Sequence, residues 1–357
     1  MIPTLDMTTI AELATPSPTI NPAQTTPVQE RPAHTALTQQ NATPRHLLSL
    51  DALTPAEMAR LLATAARLKL ARQQGQPTPM GQTGPLAGRT VALLFEKPSL
   101  RTRVSFEVAA RELGGGSLYL SPQEVGLGKR EAVRDVAQVL SSYVHAIVVR
   151  TFSHTILTEF AAHSAVPVIN GLTDAHHPCQ GLADMQTIGE VFGATQGRTL
   201  AYVGDGNNVA HSLLQAALYA GMRVRIATPA GYAPDPAIVA AALAAAPMGA
   251  SLSVTTNPTE AVTGADVVYT DVWASMGQEA EAEQRRGIFA AYQVNAALMA
   301  HAAPHAIALH PLPAHRGEEI ADDVLDGPQA QVWAQAENRL HVQKAALLWL
   351  LAPDALA

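Results

Sequence analysis

The chain has 357 residues, which is enough for two domains of ordinary size, each with its own hydrophobic core. Hydrophobic residues make up 48% of it and aromatic residues only 4%, so the cores must be aliphatic and rich in Ala. The formal net charge of -7 argues against a general nucleic-acid-binding surface, although a few local arginines would suffice for a small anion.

The cysteine content and hydropathy bear on the cellular compartment. Cys179 is the single cysteine, so no intrachain disulfide can form, as is typical of the reducing cytoplasm. No apolar run reaches the ~18 residues of a membrane span. We therefore expect a cytoplasmic protein that does not associate with membranes.

Residues 1–44 are rich in Thr, Pro, Gln and Ala, and this composition predicts a disordered tail. The segment lacks the charged start and apolar core of a secretory signal. A start codon placed too early in the gene would give the same sequence. An organelle transit peptide fits less well, because Arg31 is the only basic residue before Arg45.

Strand and helix patterns alternate from residue 45 onwards. Thr54 and Pro55 predict a helix start, and an apolar strand at 90–95 is followed by a helix from Ser99 to Leu113. Residues 75–88 are predicted to form a turn-rich loop between the first helix and this strand. Further strands are predicted at 146–150, 166–170, 200–203, 223–227, 267–270 and 306–309, and a long last helix at about 335–351.

This alternation predicts an α/β fold of parallel sheets with helices on both faces. Ligands of such sheets bind at the carboxyl ends of the strands, where loops meet the N-termini of helices. Each motif described below falls at such a point.

The first motif is Lys97-Pro98-Ser99-Leu100-Arg101-Thr102-Arg103, at a junction from strand to helix. A helix N-terminus attracts phosphate, and the hydroxyls and guanidinium groups of this segment suit phosphate oxygens. The motif therefore predicts a phosphate site. An ordinary capped helix with a solvated basic end is the alternative.

Two motifs offer donors for a carbonyl oxygen. Arg150 ends an apolar strand and could donate to such an oxygen; the alternative is a charge at the strand end that simply reaches water. In His176-His177-Pro178-Cys179-Gln180, the side chains of His177 and Gln180 can stabilise negative charge on an oxygen. A Cys–His nucleophile lacks an evident third orienting group, and adjacent histidines do not converge on a metal without other ligands. A helix-capping turn also remains open.

The segment Gly204-Asp205-Gly206-Asn207-Asn208-Val209 half-matches the dinucleotide-binding fingerprint. Val209 stands where the third glycine should allow close packing of helix and strand, which disfavours NAD. The paired asparagines suit a polar small molecule better.

Two later motifs follow apolar strands. Asp271 would pair with an ammonium group or accept its proton, and the following Ser275-Met276-Gly277 predicts a mobile loop. A surface turn capped by Asp and Ser is the alternative. In His310-Pro311-Leu312-Pro313, the prolines set the backbone direction, so that free carbonyls can point into a cleft.

Together these motifs resemble the aspartate/ornithine carbamoyltransferase family, and its ornithine branch in particular. The resemblance runs from about Arg45 to Leu351 and rests on Ser-Leu-Arg-Thr-Arg, His-Pro-Cys-Gln, Asp-Gly-Asn-Asn and Ser-Met-Gly in this order. It implies transfer of the carbamoyl group of carbamoyl phosphate to the side-chain amine of L-ornithine, giving L-citrulline and phosphate, as in arginine biosynthesis. It implies neither a cofactor nor a metal.

The resemblance also implies roles for single residues. The phosphate is held by Ser99, Leu100, Arg101 and Thr102, and the carbamoyl end by Arg150, His177, Gln180 and Arg339. Ornithine is bound by Asn208, Asp271, Ser275 and Met276, with the backbone around Pro311 and Leu312 between the two substrates. Arg101, Arg150, His177, Gln180 and Asp271 are the residues expected to act in catalysis.

The implied architecture is two doubly wound parallel-sheet domains joined by helices. A carbamoyl-phosphate domain at 45–183 is completed by a C-terminal helix at 338–353 that packs back on it, and an ornithine domain spans 184–337. The implied assembly is a homotrimer with active sites shared between neighbouring subunits.

This sequence departs from the family pattern at two important positions. The family usually has cysteine where Pro311 stands, so the thiol that normally lies beside ornithine's amino group is missing here. Well-known members have His or Gln near Gly126, offered to the neighbouring subunit; in this chain either Lys129 substitutes for that side chain or the contact is missing. Leu100 in place of Thr is milder, because that position can contribute its backbone N–H.

The expected mechanism is direct acyl transfer from carbamoyl phosphate to a neutral amine, without a covalent enzyme intermediate. Putrescine, N-acetylornithine and lysine are alternative acceptors, and aspartate would call for extra basic residues. An NAD-dependent oxidoreductase is disfavoured by Val209. A non-catalytic carbamoyl-phosphate-binding paralogue is favoured by Pro311 alone, and Arg101, Arg150, His177 and Asp271 argue against it.

Overall fold

The computed structural model describes residues 44–76, 84–275, 277 and 279–356. The tail predicted at 1–44 lies outside the described residues except for Pro44, as do Met276 and residues 77–83 of the predicted loop.

Nine strands among the described residues form two sheets, and every pairing between them is parallel. The first sheet has the order β2-β1-β3-β4 and the second the order β7-β6-β5-β8-β9. The strands are β1 Thr90–Phe95, β2 Gly116–Leu120, β3 Ala146–Arg150, β4 Val168–Leu172, β5 Thr199–Val203, β6 Arg223–Ala227, β7 Ser251–Thr255, β8 Val267–Tyr269 and β9 Ile307–Leu309.

Helices connect the strands and cover the sheets. Those of the first part of the chain are α1 Pro55–Gln73, α2 Leu100–Glu112, α3 Pro122–Val125, α4 Val133–Tyr143, α5 His154–Ala162 and α6 Pro178–Phe192. Those of the second part are α7 Asn208–Tyr219, α8 Pro236–Ala245, α9 Pro258–Val262, α10 Ala282–Phe289, α11 Ala296–Met299, α12 Asp322–Leu325 and α13 Val332–Leu351. Short 3₁₀ turns lie at Leu50–Ala52, Glu279–Glu281, Ala290–Tyr292 and Pro353–Ala355.

The predicted central strands are confirmed, because burial on both faces demands continuous apolar runs. All residues of β3 and β5 are buried, and so is every residue of β1 after Thr90. The strand predicted at 166–170 forms two residues later, as β4. The edge strands β2 and β7 were missed, because their partly exposed faces carry Gly, Ser and Thr among their apolar residues.

Local sequence explains where the main helices begin. Thr54 caps α1 in a capping box with Glu57, and the Ser99 side chain accepts a hydrogen bond from the N–H of Thr102 at 3.2 Å. The last helix, α13, packs against α1, α2 and α6, so the chain returns from the second sheet to the first. The predicted fold class is therefore confirmed.

Within the described ranges, no helix combines the length and the apolar character that a bilayer span requires.

Candidate active site

One cavity of about 910 Å³ is lined by segments that follow strands of both sheets. It brings together all the predicted site residues that the structure describes, although they come from distant parts of the chain. These residues are Ser99, Leu100, Arg101, Thr102, Arg150, His177, Gln180, Asn208, Asp271, Ser275, Pro311, Leu312 and Arg339. Met276 lies outside the described residues.

The first-sheet side of the cavity is strongly cationic, because Arg101, Arg150 and Arg339 all line it. Arg150 and Arg339 are 5% and 3% exposed. Burial, with the nearby charges of Arg339 and Arg101, lowers the pKa of Arg150 to about 9, which still leaves it charged at neutral pH. None of the three forms an ion pair with a carboxylate of the described residues. This end of the cavity therefore attracts an anion.

The N-terminus of α2 opens on the same end. Its first turn leaves backbone N–H groups without helical partners, and the helix dipole adds partial positive charge there. Leu100 lines the cavity and is 74% exposed. Its backbone N–H, in the first turn of α2, can therefore be offered to a ligand.

The structure separates the two arginines of this motif. Arg103, which the sequence offered as a second phosphate ligand, does not line the cavity. Its guanidinium stacks 3.6 Å from the ring centre of Tyr119 and donates to Glu107 at 2.9 Å. A step of two positions turns the side chain about 200° around the helix, which points Arg101 inwards and Arg103 to the surface.

His177 is 4% exposed and stands at the N-cap of α6. Burial, together with the charges of Arg339, Arg150 and Arg101, holds its pKa well below the ordinary value. The imidazole is therefore neutral at physiological pH and can donate one hydrogen bond without adding a further charge.

Gln180 is held between two groups. Its amide oxygen accepts from Nη1 of Arg339 at 2.7 Å, and its Nε2 donates to Oδ1 of Asp184 at 2.8 Å. An amide nitrogen carries two N–H bonds, so one remains for another acceptor.

The alternative of a Cys–His nucleophile is disfavoured. Cys179 is fully buried and does not line the cavity, and its Sγ lies 4.0 Å from the carbonyl oxygen of Asn170. Burial raises the pKa of the thiol to about 11, so the reactive thiolate is suppressed.

Asp271 lies on the second-sheet side of the cavity, 6% exposed, and burial raises the pKa of its carboxyl. It accepts a hydrogen bond from Nδ2 of Asn207 at 2.8 Å. The neighbouring Asn208 donates to the carbonyl oxygen of Thr173 at 2.6 Å, which ties this motif to the first part of the chain.

The glycines that resembled a dinucleotide fingerprint have a local explanation. A Cβ on Gly206 would lie only 2.3 Å from the backbone nitrogen of Pro234, so the residue is small because two stretches of chain cross there. Close backbone approach, which a cofactor pyrophosphate would otherwise explain, is already accounted for within the protein.

The backbone around Leu312 is held firmly in the cavity wall. Leu312 has a φ of 57°, and its N–H donates to Nδ1 of His310 at 2.9 Å. The other ring nitrogen of His310 lies 2.9 Å from Oε1 of Glu319, and both side chains are fully buried. The ring therefore bridges this segment and a buried carboxylate.

Several lining residues were not predicted from the sequence as site residues. They are Lys97, Phe152, Asp174, Asp205, His211, Tyr232 and Arg285. Lys97 and Asp205 belong to motifs described above, and this position in a motif could have marked them as site residues. Nothing in the sequence marked Arg285, whose Nη1 donates to Oδ2 of Asp205 and to the carbonyl oxygen of Trp273, each at 2.9 Å.

Gly126 and Lys129 do not line this cavity. Gly126 ends α3 with a φ of 60°, and a Cβ there would meet the Cβ of Arg130 at 2.8 Å. Glycine is therefore required by the local backbone, whatever the segment contacts. Lys129 is exposed nearby.

One group of side chains in the described part of the chain could converge on a metal. His315, Glu318 and Glu319 bring ligand atoms within 4.8 Å of one another. Glu318 already pairs with Arg286 at 3.0 Å, and Glu319 with His310, so both carboxylates are committed to other partners.

Comparison with known proteins agrees with this geometry. Residues 45–190 match the carbamoyl-phosphate-binding domain of the aspartate/ornithine carbamoyltransferase family, and residues 196–350 match its Asp/Orn-binding domain. The ornithine carbamoyltransferase of Pyrococcus abyssi is 52% identical over 308 residues, which cover 86% of this chain and 96% of that protein.

Two further matches, one of sequence and one of structure, come from Pyrococcus furiosus. A protein named "Ornithine carbamoyltransferase, anabolic" is 51% identical over 304 residues, or 85% of this chain and 95% of that protein. A solved structure of an ornithine carbamoyltransferase superimposes with a TM-score of 0.81 at 50% identity, over 87% of this chain and 97% of the other. The chain therefore belongs to the aspartate/ornithine carbamoyltransferase family.

Proposed function

We propose that the chain transfers the carbamoyl group of carbamoyl phosphate to the side-chain amine of L-ornithine, giving L-citrulline and phosphate. The observation that carries this proposal is one cavity with a cationic end and an acidic end. Arg101, Arg150 and Arg339 lie towards the first sheet, and Asp271 lies towards the second. An anionic donor and a cationic amino acid fit these two ends.

Carbamoyl phosphate binds at the cationic end. Its phosphate lies against the N-terminus of α2, where Ser99, Leu100, Arg101 and Thr102 provide hydroxyl, backbone and guanidinium donors. The carbamoyl oxygen faces Arg150, His177, Gln180 and Arg339.

Ornithine binds at the other end, against Asn208, Asp271 and Ser275, and the family resemblance adds Met276, which lies outside the described residues. The backbone of Pro311 and Leu312 lies between the two substrates. A prolyl residue keeps its carbonyl oxygen, so Pro311 can still accept a hydrogen bond from the attacking amine.

The reaction requires ornithine's side-chain amine to be neutral, and its free pKa should lie near lysine's ~10.4. The positive charges of the nearby arginines lower the pKa of the ornithine side-chain ammonium and so promote its deprotonation. The amine lone pair then forms the new C–N bond to the carbamoyl carbon, and negative charge builds on the carbamoyl oxygen. The C–O bond to phosphate breaks, phosphate leaves with that electron pair, and the amine nitrogen passes a proton to the departing phosphate.

The protein stabilises both charges that develop. Arg150, neutral His177 and the remaining Gln180 N–H act on the oxyanion, and Arg101 with the helix N-terminus acts on the departing phosphate. Bringing two substrates together in a water-excluded cleft supplies much of the remaining rate. Carbamoyl phosphate binds first and ornithine second, under the loop at 275–277.

We also propose a cytoplasmic homotrimer that works in the biosynthetic direction. The anabolic name of one Pyrococcus furiosus relative supports the direction. The single, buried cysteine suits a reducing compartment. We place the carbamoyl-phosphate domain at 45–183 with 338–353, and the ornithine domain at 184–337.

The test is to offer carbamoyl phosphate with ornithine, putrescine, N-acetylornithine, lysine or aspartate to the purified protein and to identify each carbamoylated product. Citrulline from ornithine alone is the expected result. Product from another amine would keep the mechanism but replace the acceptor. Carbamoyl phosphate binding without any product would instead favour a non-catalytic paralogue.

A further inference from the structure

Asp184 lies in α6 one turn after Gln180 and is fully buried, yet it does not line the cavity. Its carboxylate accepts hydrogen bonds from Nε2 of Gln180 at 2.8 Å and Nε2 of Gln335 at 2.7 Å. The hydroxyl of Tyr269 donates to its other oxygen at 3.2 Å. Asp184 thus joins α6, β8 and α13 through side-chain hydrogen bonds. Burial raises the pKa of its carboxyl to about 7, although the hydrogen bonds from Gln180, Gln335 and Tyr269 and the charge of Arg339 favour the ionised form.

One arm of this network leads to the carbamoyl-phosphate end. The Gln180 amide donates to Asp184 on one side and accepts from Arg339 at 2.7 Å on the other. Arg339 in turn donates to Oγ1 of Thr102 at 3.0 Å. Because both amide ends are engaged, the second N–H of Gln180 has one defined direction.

The other arm leads to the segment between the substrates. The Gln335 amide donates to Asp184, and its oxygen accepts from the backbone N–H of His310 at 3.0 Å. The His310 ring accepts from the N–H of Leu312 at 2.9 Å. Asp184 therefore helps to orient the Gln335 amide. That amide in turn holds the His310 backbone, and the His310 ring holds the N–H of Leu312.

We propose that Asp184 is a positioning residue that couples the carbamoyl-phosphate end of the cavity to the ornithine end. It orients Gln180 for the carbamoyl oxygen and, through Gln335, holds the Pro311–Leu312 wall against which the amine sits. The inference deepens the proposed function and rests on it. The charged group that faces Asp184 is Arg339, and Tyr269 is the other ionisable neighbour.

The network predicts a graded response to substitution. Asp184→Asn keeps one acceptor oxygen, and its new N–H can donate to Tyr269, so the amides stay largely oriented. Asp184→Leu removes both carboxylate oxygens, so Nε2 of Gln180 loses its acceptor and Nε2 of Gln335 keeps only the Tyr269 hydroxyl at 3.1 Å, which weakens the orientation of both amides. Gln335→Met breaks only the arm towards His310. Thr187→Val, one turn further along α6 and also buried, is the matched control.

Two quantities distinguish positioning from mere structural support. The first is kcat compared with KM for each substrate. The second is the coupling ratio, measured as the Kd of norvaline without carbamoyl phosphate divided by its Kd with it. Norvaline has ornithine's carbon chain without the side-chain amine, so it binds without reacting. Thermal melts of each variant show that it is folded.

We expect wild-type coupling of at least about 5-fold. Asp184→Leu should lower kcat by about 100-fold with KM for carbamoyl phosphate changed less than about 3-fold. Asp184→Asn should recover at least about 10-fold of that loss. Gln335→Met should bring the coupling ratio close to one. If the Asp184→Leu variant does not fold, the Gln335→Met variant tests the inference instead.

Coupling and kcat within twofold of wild type in the folded Asp184 and Gln335 variants would overturn the inference, and so would an equal loss in Thr187→Val. Absence of coupling in the wild-type protein would also overturn it. Because norvaline binding needs no turnover, these results are separate from a failure to form citrulline, which would count against the proposed function.

Discussion

Nη2 of Arg339 lies 3.0 Å from Oγ1 of Thr102, although 237 positions separate the two residues. Arg339 belongs to α13, and Thr102 lies in the first turn of α2. The last helix therefore completes the cationic end of the cavity, whose other two arginines, Arg101 and Arg150, come from the first part of the chain.

Replacing this arginine should damage the donor end of the cavity. Arg339→Met removes the charged hydrogen bonds to Thr102 and Gln180, each worth about 1.5–3 kcal/mol. We expect kcat/KM for carbamoyl phosphate to fall by on the order of 100-fold in steady-state assays. Trp333→Ala, at a position 63% exposed in the same helix, is the control. Equal activity in the two variants would contradict the assignment of Arg339.

The two arginines of the first motif should differ sharply. Arg101→Ala should lose most transfer activity, by about 100-fold or more, through weak binding of carbamoyl phosphate. Arg103→Ala should stay within about threefold of wild type, because Arg103 is exposed and pairs with Glu107. Direct binding of carbamoyl phosphate by calorimetry, alongside kinetics, tests the pair. Wild-type-like kinetics in Arg101→Ala would refute the phosphate-loop assignment.

The buried ion pair between Arg285 and Asp205 should support the acceptor side. Arg285→Met leaves the Asp205 carboxylate unpaired, and breaking a buried pair in this way costs about 3–5 kcal/mol. Burial already raises the pKa of Asp205 to about 6 despite its partner. We expect a lower urea midpoint and a KM for ornithine raised about 10-fold.

The adjacent Arg286 supplies the control for that experiment. Its side chain is 49% exposed and pairs with Glu283 and Glu318 at the surface. Arg286→Met should change stability by less than about 1 kcal/mol. Equal loss of stability in the two variants would show that burial of the pair has no special effect.

His176 should make the fold sensitive to acid. Burial, aided by nearby His154 and His211 and opposed by Asp235, lowers its pKa from 6.5 to about 3. Between these values the unfolded chain binds a proton that the folded chain does not, so stability rises with pH and is lost on acidification. From pH 6.5 to 5 the contribution of His176 to this loss is about 1.5–2 kcal/mol, at about 1.4 kcal/mol per pH unit, and His177 and His341, whose pKa values are also lowered, add to it.

Urea unfolding at the two pH values measures this effect. His176→Phe should reduce the acid-induced loss, because it removes the group that titrates. His163→Phe changes an exposed histidine and should leave the loss in place. If the pH dependence is the same in all three proteins, His176 does not cause it.

The sequence alone determined the chemistry offered at each strand end and most of the central strands. The short apolar run that ends at Arg150 fits a strand buried on both faces, since such a strand needs apolar residues on each side. The polar residues after such strands were therefore recognisable as site residues before their partners were known. The edge strands β2 and β7 escaped this reasoning, since half-exposed strands tolerate polar residues that loops also use.

Only the tertiary structure decided which of these residues meet and which way they point. It turned Arg101 into the cavity and Arg103 out of it, because helix positions two apart face different sides. It also brought in Arg285 and buried Asp184 beneath Gln180. Such contacts join residues from distant strands and helices, and their pairing depends on strand order and helix packing, which local sequence patterns do not encode.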